Sequence, residues 1–467
     1  MSPAALSILD RAGMIVLLGL AASELAHLVL GLSWAAGTTR VMALGLLVVS
    51  LPRFKALEWA LLTLALCLAA ALWWRGDVAG ITGALTKSAY FAAFILLLML
   101  LREAAATSAS VLSVGAWISQ QPPGRRFVVT WLGGHTAGIL MNFGAVSLLA
   151  PLIQRGVRAG PMETAEDQRR ALIRERRQLS SLIRGFAWVI VWSPTMLTQV
   201  IILAGVPGVD PFQTILWGLG LSAIMFLVGW GEDRLRWGKP RMAPGEGAPF
   251  PGRALAELSL VYVFLVGGAV ALVLGLGLAL PEALMTVAPV ILIGWVVCQV
   301  RAGTLPSIPK RLAEIASVSI PAMGMSAYIF GTAGFIGITA GQLAPVDTIA
   351  QWTETAQIPG WVWVAALPAL ITLGGQVALS PMMMVTFLAA VLSGLPELPA
   401  DPQYIALALA AGWALSMTSA PNATGALLIA GATGIPSTTL TWRWNGVYSL
   451  SVLCLLAVLA WAIVGSG

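Results

Sequence analysis

Apolar positions run in long blocks along the whole chain, separated by short polar stretches. Blocks at 14–32, 59–74, 92–101, 258–280 and 447–464 contain hardly a charge, and several reach the ~20 residues that a bilayer-crossing helix needs. Spans are expected near 12–33, 37–51, 56–74, 87–108, 184–205, 212–230, 255–279, 283–300, 314–342, 403–432 and 444–465, with an interfacial helix at 109–121. No small-residue cleavage site follows the first block, so it reads as a span rather than a removed leader. The polar stretches at 154–184 and 231–253 hold too few apolar residues for a core and read as loops. Within the first, the arginine-rich run 169–177 reads as a solvated helix attracted to anionic lipid.

Charge fixes an orientation for these spans. With the N-terminus in the cytoplasm and the C-terminus outside, the 26 basic residues all fall on the cytoplasmic side except Arg40, Arg75 and Lys87, which the positive-inside rule favours. The assignment requires segment 127–153 to leave the membrane on the side it entered. Arg125 and Arg126 precede it, and Arg155 and Arg158 follow it. A hairpin opening inward meets that condition. Segment 361–394 is flanked by Asp347, Glu354, Glu397 and Asp401 with no basic neighbour, and reads as a hairpin opening outward.

The two hairpins share a motif. Leu132-Gly133-Gly134-His135 matches Leu373-Gly374-Gly375-Gln376. Each is followed by an apolar stretch with an internal proline, Ser193-Pro194-Thr195 in one and Ala420-Pro421-Asn422 in the other. Proline removes a helical hydrogen bond and clashes with the preceding turn, so both stretches are predicted to be interrupted. The expected fold class is therefore an all-α integral membrane protein of about 11 transmembrane helices plus two re-entrant hairpins in two inverted-topology repeats. Its parts are an N-terminal helix (1–36), repeat 1 (37–230, hairpin about 127–153, interrupted helix about 184–205), a cytoplasmic loop (231–254), and repeat 2 (255–467, hairpin about 361–394, interrupted helix about 403–432).

Composition agrees, with 58% hydrophobic and 10% charged residues, against about 25% charged in soluble domains. The net charge of +6 reflects the cytoplasmic loops and implies no nucleic-acid partner. Cys67, Cys298 and Cys454 lie in apolar spans without metal or disulfide spacing and read as packing residues. The triplet Met382-Met383-Met384 reads as packing too.

Residues 90–230 and 310–465 resemble the ion transporter superfamily, most closely its divalent anion/sodium symporter family. Those proteins carry two repeats of hairpin and interrupted helix, with Ser-Asn-Thr tips and Thr-Pro-Pro-Asn-like turns. Thr418-Ser419-Ala420-Pro421-Asn422-Ala423 is similar to that turn, and Ser193-Pro194-Thr195 more loosely so. At the tips only Asn142 and Ser380 match. The resemblance implies a homodimer and an elevator-like movement.

Helix N-termini gathered at two tips and two breaks can hold an anion without any cation. No basic residue lies between Arg126 and Arg155 or between Arg311 and Arg443. Candidate substrate or ion ligands are Asn142, Ser193, Thr195, Thr198, Ser380, Thr418, Ser419, Asn422 and Thr424, with His135 in the first hairpin. Carbonyls freed by the breaks are candidate sodium ligands, and no other cofactor is expected. Glu24 and His27 share a helix face outside both repeats and read as a structural or subunit-contact pair.

The function expected is secondary transport of a small anion, an organic carboxylate or similar oxyanion, across the inner membrane with sodium coupling; membrane lipid is the other partner. A cation/proton antiporter would place a carboxylate in the core, and neither hairpins nor interrupted stretches contain one. A membrane-embedded glycan or lipid enzyme would show catalytic acids, paired histidines or a large outer loop, and none is visible. The expectation is thus of a non-enzyme.

Overall fold

The structure is a computed structural model that describes residues 3–158, 163–238 and 249–465. Among them every regular element is helical: α1 (Pro3–Leu30), α2 (Ser33–Ser50), α3 (Ala56–Trp74), α4 (Val78–Ala106), α5 (Ala109–Ser119), α6 (Pro123–Met141), α7 (Gly144–Arg158), α8 (Ala165–Val189), α9 (Leu197–Gly205) and α10 (Pro211–Trp237). The second half of the chain forms α11 (Gly252–Leu276), α12 (Leu280–Arg301), α13 (Ile308–Glu314), α14 (Ile320–Leu343), α15 (Val346–Thr355), α16 (Gly360–Gln376), α17 (Pro381–Gly394), α18 (Pro402–Ser419), α19 (Thr424–Thr433) and α20 (Asn445–Val464). Ten helical segments among the described residues are long and apolar enough to cross a bilayer. The protein is an all-α, multi-pass integral membrane protein.

The stretch 184–205 is not among those ten. Its first part belongs to α8, whose charged start lowers its hydropathy, and its last part is the 9-residue α9. In the polar stretch 154–184, read as a loop around a helix at 169–177, the described residues to Arg158 belong to α7 and those from Ala165 to α8. Thr164 caps α8 by accepting from Asp167 N at 3.1 Å, and the carboxylate of Asp167 reaches back to Thr164 N, a reciprocal cap that starts a helix. The arginine run is not simply solvated either, because Arg177 is largely buried against Asp233. Helix α10 continues to Trp237, so the expected loop 231–254 is shorter than read, and its residues 239–248 lie outside the described ones. The three cysteines stand exposed on their helices rather than packed inside.

The chain divides into two compact units. Unit 1 holds residues 1–108, 259–345 and 386–394. Its centre is α4, with an unbroken buried run from Phe91 to Leu98. Gly331 of α14 lets the two helices approach, with Ser88 Oγ donating to Gly331 O at 2.7 Å. At one end Arg311 donates to Glu103 O at 2.8 Å, and Ser319 donates to the Glu103 carboxylate at 2.6 Å. A π-helical turn, Ile315–Ser319, separates α13 from α14 there. Glu24 is buried in this unit, and His27 Nδ1 faces Leu32 O at 3.4 Å.

Unit 2 holds residues 109–258, 346–385 and 395–467. Two helix crossings organise it, and both rest on glycine. A Cβ on Gly185 would lie 2.1 Å from Trp131 O, and one on Gly134 would lie 2.6 Å from Leu182 O, so α6 and α8 touch backbone to backbone. A Cβ on Gly375 would lie 2.5 Å from Ser416 Oγ, and one on Gly412 would lie 2.6 Å from Ile371 Cδ1, which describes α16 against α18. The shared Leu-Gly-Gly motif thus performs one packing task twice.

Candidate functional site

Unit 2 contains two stretches where a helix stops and restarts. After Val189 the chain is non-helical until α9 begins at Leu197, and Pro194 lies in that gap. After Ser419 it is non-helical until α19 begins at Thr424, and Pro421 lies in that gap. Proline cannot donate to a helix ladder, and a freed backbone group inside a membrane needs a partner.

The first break supplies its own partners. Gln199 Nε2 donates to Ile190 O at 3.1 Å and Val191 O at 2.7 Å. Ser193 and Thr195 share a hydroxyl–hydroxyl bond of 2.9 Å, and Thr195 Oγ1 donates to Ile139 O on α6 at 2.9 Å. Ser193, Thr195 and Thr198 are all buried. The freed carbonyls of Ile190 and Val191 thus each accept a hydrogen bond from Gln199.

His135 is tied to the same break through Trp192. Trp192 Nε1 donates to His135 Nε2 at 2.8 Å, and His135 Nδ1 lies 2.9 Å from Gly185 O. A carbonyl only accepts, so Nδ1 carries the proton and the ring is neutral, a tautomer assigned from its partners. Trp131 and Trp192 stack on the ring at 4.5 and 5.5 Å between centroids. Both ring nitrogens of His135 thus have protein partners.

Asn142 turns the chain between α6 and α7. Its φ of 50° is a conformation that side chains rarely adopt, and its Oδ1 accepts from Phe143 N at 2.8 Å. Phe143 meets Phe186 at 5.2 Å, just before the first break. A Cβ on Gly425, just after the second break, would lie 3.7 Å from Phe186 Cε1. Through this ring the first turn and both breaks meet.

The second break is built differently. Thr418 is buried and bonds Leu415 O and Ser449. Ser419 is buried at the end of α18, whereas Asn422 and Thr424 are exposed, and Ser380 is half-buried between α16 and α17. Gln376, at the end of α16, links Ser419 to Trp442: its Nε2 lies 3.5 Å from Ser419 Oγ and donates to Thr372 O at 3.3 Å, and its Oε1 accepts from Trp442 Nε1 at 2.9 Å. Among the described residues no side-chain amide seals the carbonyls of this break as Gln199 seals the first. The residues that sequence reasoning missed are therefore Gln199, Gln376 and Trp442. Gln376 stood in plain view, at the position of His135 in the shared motif.

No known protein-family model matches this chain, and no curated protein matches it. Solved structures do. The YdaH transporter of Alcanivorax borkumensis, described as having an unusual topology, aligns at a TM-score of 0.52 with 17% identity, over 84% of this chain and 89% of that one. MtrF of Neisseria gonorrhoeae, from a class of antimetabolite efflux pumps, aligns at a TM-score of 0.54 with 15% identity, over 83% and 85%. The fold is one that membrane transporters use.

Proposed function

We propose that this chain is a secondary transporter whose cargo binds at the second break, against Gln376, Ser380, Ser419, Asn422 and Thr424, with Asn142 approaching from the first turn. The observation that carries this reading is the contrast between the breaks. One is sealed by its own side chains; the other leaves neutral polar groups open. A transporter gains from keeping one irregular turn rigid and the other available, because unwound backbone at membrane depth belongs where it lines a cavity.

The chemistry fits a small anion, an organic carboxylate or similar oxyanion. Amide, hydroxyl and backbone N–H groups at the start of α19 donate hydrogen bonds without a fixed cation, so binding stays weak enough for release. Sodium takes unsealed carbonyls of the same turn, and unit 2 carries the cargo across in an elevator-like stroke within a homodimer. The two stretches of helix pair and broken helix are inverted repeats in this reading, with α6–α7 and α16–α17 as re-entrant hairpins. The resemblance to MtrF supports a second direction of transport, export of an antimetabolite carrying such an anionic group.

Reconstituted vesicles loaded with labelled small carboxylates test this. Asn422→Ala should lower flux at least tenfold, the loss of about one to two ligand hydrogen bonds, while the variant keeps its thermal midpoint. Flux at the parent level in Asn422→Ala and Gln376→Ala would remove the cargo from this turn.

A further inference from the structure

The arginine-rich end of unit 2 holds a second polar site, apart from both breaks. A cavity of about 20 Å³, room for about one water, lies among the guanidinium groups of Arg176, Arg177, Arg184 and Arg236 and the carboxylates of Glu232 and Asp233. Four cations against two anions leave two positive charges in excess.

Two of the arginines are fully engaged. Arg177 forks onto Asp233 with bonds of 2.8 and 2.6 Å. Arg184 meets Glu232 at 2.7 Å and Asn445 Oδ1 at 2.8 Å, and lies 3.9 Å from the centre of the Tyr448 ring. Arg176 and Arg236 are not. Arg176 gives one N–H to Arg443 O at 3.2 Å, and Arg236 stands 3.7 Å from a Glu232 that already serves Arg184. Both pack on the Trp237 ring, at 5.6 and 5.7 Å from its centre, which holds their planes in place. Burial pushes the Arg176 guanidinium below its ordinary value, and Arg236 pushes it the same way, against Glu232.

A second observation is independent of charge. Ser180 lines the same cavity, is 6% exposed, and its Oγ has no protein partner; Glu232 Oε2 beside it is ion-paired with Arg184 but accepts no hydrogen bond. A buried hydroxyl without a partner is costly unless something else completes it.

We propose that this notch binds a phosphate group. One phosphate oxygen enters the cavity and accepts from Ser180 Oγ, while the others lie at the mouth between Arg176 and Arg236. Donors from three separate side chains suit a tetrahedral oxyanion, and guanidinium is the group that best matches its edges. The phosphate comes either from an anionic phospholipid headgroup at the membrane surface or from free phosphate in solution. Bound there, it joins the middle of α8 to the C-terminal end of α10.

The test uses the full-length protein in neutral detergent. Its thermal midpoint is followed with inorganic phosphate against chloride at equal ionic strength. A parallel series compares phosphatidylglycerol with phosphatidylcholine, whose choline cation offsets the phosphate charge. A rise with phosphatidylglycerol alone assigns a lipid headgroup site, and a rise with phosphate as well assigns a site open to solvent. Arg236→Gln and Ser180→Ala should each weaken the effect about tenfold, the loss of one charge-assisted contact, and Asn422→Ala should leave it intact. Arg236 is exposed, so its variant decides the matter even if Ser180→Ala proves unstable. No rise beyond the chloride and phosphatidylcholine controls, or rises unchanged in Arg236→Gln, would overturn the proposal.

Discussion

At the scale of residues, the breaks differ in who completes the backbone. Gln199 serves two carbonyls with one amide. Replacing it with Leu keeps the volume roughly constant and orphans both acceptors, at a cost of about 1–3 kcal/mol each. Gln199→Leu is expected to fall clearly in chemical stability while Gln199→Glu falls less if its carboxyl stays protonated. A urea titration of the purified protein reads both; equal stability of Gln199→Leu and the parent would show that the first break is held by packing alone. His135 drew attention in the sequence as a lone titratable group. Its two nitrogens are bound to Trp192 and Gly185, partners that lie 57 and 50 positions away, and no local pattern announces them. The same distance hides Gln376 and Trp442, which are 66 positions apart.

At the scale of elements, helices announced themselves and their ends did not. Apolar runs located the ten long segments because burial in lipid demands a continuous length of apolar residues. Helix α8 was legible only in pieces, as a solvated helix over 169–177 and a span from 184, because its start is amphipathic and charged, and its carboxylate partners Glu232 and Asp233 sit on another helix. The prolines offer the sharpest test at this scale. Pro421→Ala lets α18 rewind toward α19, withdrawing backbone groups from the open turn, so cargo and sodium should both bind more weakly. Pro194→Ala should do less, because Gln199, Ser193 and Thr195 hold the first gap by side-chain bonds that the substitution leaves in place. Thermal shifts with sodium and with cargo, measured on both variants, separate the cases. Unchanged shifts in Pro421→Ala would mean that this proline only kinks its helix.

At the scale of the whole molecule, membrane class, helical content and the two proline gaps were legible in one sequence, because hydropathy and backbone chemistry are local properties. The asymmetry between the gaps was not, since it depends on side chains brought from afar. The glycine crossings in unit 2 carry a consequence for how such a chain drifts over generations. Every single-base change in a glycine codon that alters the residue introduces a Cβ or ends the chain. At Gly185 that atom would stand 2.1 Å from a carbonyl oxygen, and at Gly134 2.6 Å, neither of which can yield without moving a helix. Gly220, Gly231, Gly267 and Gly294 have no atom within 4 Å of such a Cβ. A mutational scan read out by membrane expression should find the first pair intolerant of any replacement and the second group permissive. If all six tolerate Ala alike, the backbone contacts between α6 and α8 are looser than drawn. Intolerance confined to a few such points would let the rest of the sequence wander until only the architecture is recognisable.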